Sequence, residues 1–278
     1  MENKDIKEIV KEKYTIIANQ NKEQNETSCC GVGSSCCGVD YTIFSESYEK
    51  LDGYNSEADL GLGCGLPTEF AKIKKGDTVI DLGSGAGNDC FVARAFVGDE
   101  GEVIGIDMTP AMLEKAVQNA EKLGFKNVKF RLGDIENMPV TANKADVIVS
   151  NCVLNLVPDK EKAFAEIFRV LKNGGHFSIS DVVLEGNLPE QLAKDAEMYA
   201  GCVSGAIQKS EYLKIIEITG FKNINIQKQK MIFLPDEILL KYLSENQLEE
   251  YKKSNIGIFS ITVYAEKLVN CDSNCDCK

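Results

Sequence analysis

The segment Thr78–Phe91, which reads TVIDLGSGAGNDCF, constrains the fold of this 278-residue chain more than any other. Three apolar residues surround Asp81, and glycines follow at every second position from 83 to 87. An apolar run that is closed by glycines and followed by a helix-compatible segment is typical of a buried parallel strand turning into a helix. Because glycine has no Cβ, the backbone of such a turn can lie close against a ligand. We therefore predict a ligand-binding turn here, with Asn88 or Asp89 capping the helix.

The spacing of the glycines indicates which ligand. GxGxG differs from the GxGxxG of dinucleotide sites, where a pyrophosphate binds at the helix end. Asp81 would repel a phosphate but would suit an ammonium group. Asp107 ends the next apolar stretch, at the offset where an acidic residue commonly accepts hydrogen bonds from ribose hydroxyls. A nucleoside with a cationic, phosphate-free tail is S-adenosylmethionine (SAM), so we predict SAM as cofactor; the alternative is a glycine turn in an unrelated α/β domain.

Charge and hydropathy restrict the partners. The formal net charge is −12 and the isoelectric point is about 4.8, so the chain offers no basic face to neutralise phosphates, and we expect neither nucleic acid nor membrane as a partner. No apolar run reaches the ~20 residues of a transmembrane helix. The N-terminal segment MENKDIKEIVKEKY is charged and lacks the apolar core of a signal peptide. We therefore expect a cytoplasmic protein.

Eleven cysteines are unusual for a cytoplasmic protein, where structural disulfides are rare. Thiol chemistry or soft-metal binding therefore becomes the favoured explanation. Seven of them lie in polar or glycine-rich segments near the two ends of the chain: Cys29, Cys30, Cys36, Cys37, Cys271, Cys275 and Cys277. The single histidine, His176, argues against histidine-based catalysis and is interpreted as structural.

Apolar strand-like segments alternate with helical segments from Thr78 onward, which predicts an α/β fold. We expect a doubly wound, mostly parallel, seven-stranded Rossmann-like sheet with a C-terminal α+β extension. The expected organisation is a flexible cysteine-rich N-terminal arm (1–40), a SAM-binding domain (41–185), an acceptor-binding insertion with the last sheet strands (186–267), and a flexible cysteine-containing tail (268–278).

Ligands of such sheets bind at the carboxyl ends of the strands. We expect Asp107 to bind the ribose diol, Met108 to pack on the adenine, and Asp134 to accept a hydrogen bond from the adenine amino group; the alternative for Asp134 is a solvated turn residue. Asn151 would hold the amino-acid end of the cofactor or orient the cleft. Asp181 also ends a predicted strand and is a further candidate for a functional role at this edge. The alternative is that it only caps the following loop. The predicted cofactor-binding residues are Asp81, Gly83, Ser84, Gly85, Gly87, Asn88, Asp107, Met108, Gly133, Asp134, Ile135 and Asn151.

Three cysteines border the same predicted cleft: Cys64 in a glycine-rich loop, Cys152 after the fourth strand, and Cys202 in the insertion. The alternative for each is a small buried hydrophobe, which fits Cys90 better because it lies inside the first helix of the sheet. Three thiolates would suit a soft three-coordinate centre such as trivalent arsenic, whereas structural zinc prefers four ligands. The arsenic lone pair could attack the sulfonium methyl group directly, so the enzyme would act by positioning and need no general base.

Several segments together resemble arsenite methyltransferase, a SAM-dependent enzyme of the class I methyltransferase superfamily. They are GLGCGLPTEFA, VIDLGSGAGNDCF, GIDMTPAML, FRLGDIENMPV, VIVSNCVLNLVPDK, VLKNGGHFSISD and YAGCVSGAI, and the similarity runs from about residue 41 to 222. The resemblance implies that Cys64, Cys152 and Cys202 bind As(III) as a trithiolate. It also implies that an N-terminal cysteine forms a transient disulfide; Cys36 or Cys37 fits best by distance from Cys64, although Cys29 and Cys30 remain candidates.

The resemblance further implies arsenite as a thiol conjugate for substrate and glutathione or thioredoxin as reductant. One hypothesis is that the terminal cysteines collect As(III) and pass it inward; the alternative is that they are spare thiols. Two other functions stay open: a SAM-dependent methyltransferase of a small organic acceptor, and a metalloid-binding protein without catalysis.

Overall fold

The computed structural model of the protein describes residues 3–20, 46–187, 205–233, 236–240, 243–254 and 256–269. Cys202 and the seven cysteines near the chain ends lie outside these ranges, as do residues 21–40 of the predicted arm and 270–278 of the predicted tail. No helix in the described ranges combines the length and the apolar character needed to cross a bilayer.

The described elements alternate between helix and strand as the sequence predicts. The strands are β1 (Thr78–Leu82), β2 (Glu102–Asp107), β3 (Val128–Leu132), β4 (Ala145–Asn151), β5 (Leu171–Glu185), β6 (Lys222–Ile232) and β7 (Gly257–Glu266). The helices are α1 (Asn3–Ala18), α2 (Pro67–Phe70), α3 (Asn88–Val97), α4 (Pro110–Lys122), α5 (Lys160–Val170), α6 (Lys209–Thr219), α7 (Asp236–Leu239) and α8 (Glu245–Lys253). A short 3₁₀ turn covers Leu154–Leu156.

The seven strands form one sheet in the order β3-β2-β1-β4-β5-β7-β6. The pairs among β1 to β5 are parallel, whereas β7 runs antiparallel to both β5 and β6. The prediction of a doubly wound, mostly parallel seven-stranded sheet is confirmed, and the C-terminal extension completes that sheet. The strand order reverses between β1 and β4, so the crevice at their carboxyl ends is the expected ligand site.

Side chains that alternate along the central strands build a core on each face of the sheet. Ile80 and Ile148 point into a cluster with α5 and α6, where Phe164, Phe177 and Tyr212 are fully buried. Val79, Val103 and Val147 point to the opposite face, against residues of α1, α3 and α4. Each central strand is therefore apolar on both sides, because helices cover both faces of a parallel sheet.

Two local expectations are wrong. The N-cap of α3 is Gly87, and neither Asn88 nor Asp89 caps the helix through its side chain. The Asp89 carboxylate instead accepts hydrogen bonds from Tyr48 and Thr68. Asp181 does not end a strand, because β5 continues to Glu185 by pairing with β7 beyond the end of β4.

His176 lies within β5, where its Nε2 is 2.6 Å from the carbonyl oxygen of Ala71 and its ring packs on Tyr264. These contacts tie the strand to the segment after α2. Both contacts agree with the interpretation of His176 as a structural residue.

Candidate active site

A cleft opens at the carboxyl ends of β1 and β4, where the strand order reverses. Eleven of the twelve predicted cofactor residues line it: Asp81, Gly83, Ser84, Gly85, Asn88, Asp107, Met108, Gly133, Asp134, Ile135 and Asn151. Gly87 does not line the cleft; a Cβ there would meet the rings of Phe91 and Phe130, so its place is set by helix packing. The residues predicted from the sequence to bind the cofactor, apart from Gly87, therefore line a single cleft.

The glycine turn is held open by backbone hydrogen bonds to the neighbouring strand. The N–H groups of Gly83 and Ser84 both donate to the carbonyl oxygen of Ile106, at 2.7 and 3.0 Å. Two buried polar atoms at this turn, Oγ of Ser84 and Oδ1 of Asn88, have no hydrogen-bond partner among the described residues. Because buried polar groups are normally hydrogen-bonded, these two atoms are suited to bind a polar ligand in the cleft.

Asp107 is fixed at the end of β2 by the turn that follows. Its Oδ1 accepts from the backbone N–H of Thr109 at 2.8 Å, and its Oδ2 accepts from the N–H of Gly85 at 2.9 Å. Burial raises the pKa of this carboxyl, against these hydrogen bonds. The carboxylate thus lies at the cleft wall in one orientation, which fits its predicted role towards a ribose diol.

The floor of the cleft is acidic. Burial raises the pKa of Asp81 well above its usual value, and the nearby Asp89 raises it further. Burial raises the pKa of Asp89 to about 6. The Cys90 thiol donates to Asp81 Oδ2 at 3.2 Å from inside α3, so this cysteine faces the sheet. Among the described lining residues there are five aspartates and a single basic side chain, Lys7, so the cleft favours a cationic ligand.

Helix α1 closes one side of the cleft. Val10 and Tyr14 line it, and the Lys7 ammonium group donates to Asp134 Oδ2 at 2.6 Å and to Glu136. Asp134 is therefore held by a salt bridge, in addition to its bond from the N–H of Glu136. The sequence analysis assigned this segment to the N-terminal arm, and no signal in the sequence indicated that a helix there packs over this cleft.

Asn151, at the end of β4, organises the opposite side. Its Oδ1 accepts from the backbone N–H of Cys64 at 2.9 Å, and its Nδ2 donates to the carbonyl oxygen of Gly65 at 2.8 Å and to Tyr48 and Asp89. These four bonds go to the protein itself. Of the two predicted roles, orienting the cleft fits this geometry.

The loop of Cys64 and the turn of Cys152, two of the cysteines of the predicted arsenic site, both adjoin this asparagine. Cys64 is 1% exposed and Cys152, the next residue after Asn151, is 3% exposed. Cys152 has φ of +63°, and its N–H donates to the carbonyl oxygen of Ser180 at 2.8 Å. A non-glycine residue in the left-handed region is strained, and such residues cluster at functional sites.

The glycines that flank Cys64 allow its loop to approach the strands. A Cβ on Gly63 would lie 2.6 Å from Nδ2 of Asn151, and one on Gly65 would lie 2.6 Å from Oγ of Ser180. The Cys64 carbonyl oxygen also accepts a hydrogen bond from Ser260 of β7. The glycine-rich segment is thus a loop in close backbone contact, as its sequence predicts.

The remaining predicted sulfur ligands cannot be located. Cys202, Cys36 and Cys37 lie outside the described residues, so the convergence of three thiols stays a prediction. Within the described ranges, no group of three or more His, Cys, Asp or Glu side chains is arranged to hold a metal ion.

Sequence reasoning missed Tyr48, Asp59 and Asp89 as cleft residues. Tyr48 Oη donates to Asp89 Oδ2 at 2.9 Å and to the carbonyl oxygen of Gly65 at 3.2 Å. No local pattern marks Tyr48, because its role depends on a loop that packs against α3. Asp89 lies two residues after Gly87, the last glycine of the motif, and this position was the signal available in the sequence.

Comparison with known proteins agrees with this geometry. A family model described as a methyltransferase domain matches residues 73–220. Arsenite methyltransferase of Halobacterium salinarum is 38% identical over 95% of this chain and 67% of that protein, and arsenite methyltransferase of Aquipseudomonas alcaligenes is 34% identical over 81% and 65%.

Among solved structures, an arsenic (III) S-adenosylmethionine methyltransferase from Chlamydomonas reinhardtii superimposes with a TM-score of 0.63 and 32% identity, over 75% of this chain and 68% of that chain. The chain spans about two thirds of the length of each of these three relatives. The chain belongs to the arsenite methyltransferase family of SAM-dependent methyltransferases.

Proposed function

We propose that the protein transfers a methyl group from SAM to trivalent arsenic held by cysteine thiolates. The observation that carries this proposal is the position of Asn151, which binds the Cys64 loop and immediately precedes Cys152 at the rim of the cofactor cleft. One side chain thereby holds the Cys64 loop beside the Cys152 turn, at the predicted SAM cleft.

The cleft fits SAM on three grounds. Ser84 Oγ and Asn88 Oδ1 are buried polar atoms that can bind a polar ligand, Asp107 is oriented towards the cleft, and the surrounding carboxylates favour a cation. Asp81, Asp89 and Asp107 all resist ionisation because they are buried. A bound ligand with positive charge would stabilise their ionised forms. We assign the ribose to Asp107, the adenine to Met108, Asp134 and Ile135, and the ammonium end to the acidic floor.

The thiols of Cys64 and Cys152 would form two of the bonds to arsenic, with Cys202 as the third ligand. Sulfur is the ligand type that soft centres prefer. SAM, when bound, supplies an electrophilic methyl group on a sulfonium, for which the arsenic lone pair is the nucleophile. The residues of this chain then contribute chiefly by holding the arsenic and the methyl group in line. Alignment of that kind can lower a reaction barrier by up to about 7–11 kcal/mol.

We further propose that arsenite arrives as a thiol conjugate and that glutathione or thioredoxin restores the thiols. Cys36 or Cys37 is our candidate for a transient disulfide that keeps arsenic trivalent. Cys29, Cys30 and the cysteines of the tail are not needed for this cycle.

The test is turnover with purified protein, SAM, arsenite and a reduced thiol, with methylated arsenic species measured by mass spectrometry. We expect methylated product that depends on arsenite and on SAM. Methyl transfer to an organic acceptor without arsenic would overturn the proposal, and so would thiol-dependent arsenite binding that never leads to a methylated product.

A further inference from the structure

One face of helix α1 forms a wall of the proposed cofactor cleft. Lys7, Val10 and Tyr14 line the cleft, and residues three or four positions apart lie on the same side of a helix. The C-terminal end of α1 is packed into the core, where Ile17 and Ala18 are buried among residues of the helices on that face of the sheet. The helix is therefore seated at one end, and its other end carries Lys7 to the cleft.

Lys115 of α4 holds the C-terminal end of α1 in addition. Its Nζ donates to the carbonyl oxygen of Ala18, the last residue of α1, at 3.2 Å and to that of Gln20 at 3.0 Å. The carbonyl groups at the end of a helix have no partner within the helix, so such bonds fix where the helix ends. The position of Lys7 thus follows from how the whole helix is attached.

Lys7 bridges two acids of the segment that follows β3. Its ammonium group donates to Asp134 Oδ2 at 2.6 Å and to Glu136. Glu136 is buried, and its Oε1 accepts from the N–H of Asp159, the N-cap of α5, at 2.9 Å. Asp134 is more open, with 39% of its side chain exposed. Lys7 therefore ties a partly exposed carboxylate at the cleft to a buried one that is already fixed.

The Asp134 carboxylate is restrained at both oxygens and still has room for a ligand. Oδ2 accepts from Lys7, and Oδ1 accepts from the backbone N–H of Glu136 at 2.9 Å. A carboxylate oxygen has two lone pairs, so one bond to each oxygen leaves capacity for a further donor. Since Asp134 lines the cleft, a donor on a bound ligand can use that capacity without displacing Lys7.

We infer that Lys7 sets how strongly the site selects the amino group of adenine, by holding Asp134 in the orientation that accepts a hydrogen bond from it. The inference rests on the cofactor part of the proposed function, because it takes the adenine of SAM as the group that Asp134 contacts. Lys7 is a positioning residue in this scheme, since it acts on the adenine through Asp134.

The alternative role of Lys7 is to keep α1 against the cleft. The two roles differ in the ligands that they affect. Loss of the wall would weaken every ligand of the cleft. Loss of the orientation would weaken only a ligand that donates to Asp134, because only that ligand has to order the side chain when it binds.

The experiment compares two ligands by calorimetric titration of the full-length protein. One is S-adenosylhomocysteine (SAH), which SAM becomes when it gives up its methyl group. The other is its 6-deamino analogue, in which hydrogen replaces the amino group of the purine. Wild type should bind SAH roughly ten- to a hundredfold more tightly than the analogue, which is the contribution of a hydrogen bond to a charged group.

Lys7→Met keeps the apolar stem of the side chain and removes the charge. In this variant the preference for SAH over the analogue should fall by roughly three- to tenfold, the cost of ordering a side chain on binding. The dissociation constant of the analogue should stay close to that of wild type, which would also show that the cleft is still formed.

A matched control is Lys144→Met, which removes a similar ion pair at the opposite edge of the sheet. Lys144 donates to Glu102 Oε2 at 2.6 Å, both side chains are partly exposed, and Glu102 begins β2. This variant should keep the wild-type preference for SAH.

Asp134→Asn tests whether Lys7 acts through Asp134. The neutral amide is a weaker acceptor than a carboxylate, so the preference for SAH should fall. Adding Lys7→Met to this variant should lower the preference no further, because two residues that act through one contact are not additive.

A preference of wild-type size in Lys7→Met would overturn the inference, even if methylated arsenic is formed. An equal loss of affinity for both ligands would also overturn it and would assign Lys7 to holding α1, and so would a further fall in the double variant. The expected change of preference in a protein that forms no methylated arsenic would instead overturn the proposed function and leave the inference standing.

Discussion

The backbone N–H of Cys64 donates a 2.9 Å hydrogen bond to Oδ1 of Asn151 across 87 positions of sequence. Because Cys152 follows Asn151 directly, the bond places the loop of one cysteine beside the turn of the other. The same asparagine bonds Gly65, Tyr48 and Asp89, so it joins the Cys64 loop to residues that line the cleft or adjoin it.

Asn151→Ala should separate the two cysteines. We expect methylation to fall by roughly a hundredfold, the cost of misplacing a reacting group by about 1 Å, with the dissociation constant of SAM changed much less. Steady-state kinetics and calorimetric SAM titration measure the two effects. The matched control is Asn127→Ala, which removes an asparagine bonded to Gly98 and Gly101 at 2.8 and 2.9 Å, away from the thiols. Equal losses of turnover in both variants would show that the loss comes from lower stability of the fold and not from displacement of the cysteines.

Cys64→Ser and Cys152→Ser should abolish arsenite methylation while SAM still binds, because a hydroxyl is a poor ligand for a soft centre. Turnover is read by mass spectrometry and SAM affinity by calorimetry. Cys90→Ser is the control; its hydroxyl can still donate to Asp81, and the residue lies inside α3. Near-normal methylation by either of the first two variants would exclude a thiolate site at these cysteines.

Gly83→Ala should weaken SAM binding in addition to lowering the stability of the fold. Gly83 has φ of +66°, and a Cβ would collide with the Val153 side chain in the cleft wall. Gly124→Ala is a matched control, since Gly124 has φ of +68° and open space around its Cβ. Both substitutions should cost about 1–2 kcal/mol for the left-handed conformation. Urea unfolding and SAM titration compare them, and identical SAM affinities in the two variants would contradict a close approach at Gly83.

The stability of the protein should depend on pH through its buried acids. The pKa of Asp181 is raised from 3.8 to about 7, so between these values the folded state binds more protons than the unfolded state. This acid therefore makes the free energy of unfolding fall as the pH rises through that window. Asp181→Asn should reduce the fall, measured as the difference in urea midpoint between about pH 5.5 and 7.5.

The exposed Asp52→Asn is the control for that measurement, because it removes the same charge from the surface. It should retain the pH dependence of wild type. The same slope in wild type and Asp181→Asn would mean that Asp181 is ionised in the folded protein throughout this range.

The sequence by itself determined the sheet and the edge of it at which we propose that the cofactor binds. The apolar runs that end in Asp81 to Gly87, in Asp107 and in Asn151 encode strands and turns locally, so periodicity and glycine spacing predict them. In a doubly wound sheet those strand ends must meet, which is why eleven of the twelve cofactor candidates line one cleft.

Only the tertiary structure decided which side chains pair within that edge. Lys7 donates to Asp134 across 127 positions of sequence, and Tyr48 donates to Asp89. Asp181 lies under the Cys152 turn because β5 continues past the end of β4. No local pattern encodes such bonds, since each depends on how a loop or helix packs against a strand far away in the chain. The sequence thus determines where the chemistry can take place, and packing determines which residues orient it.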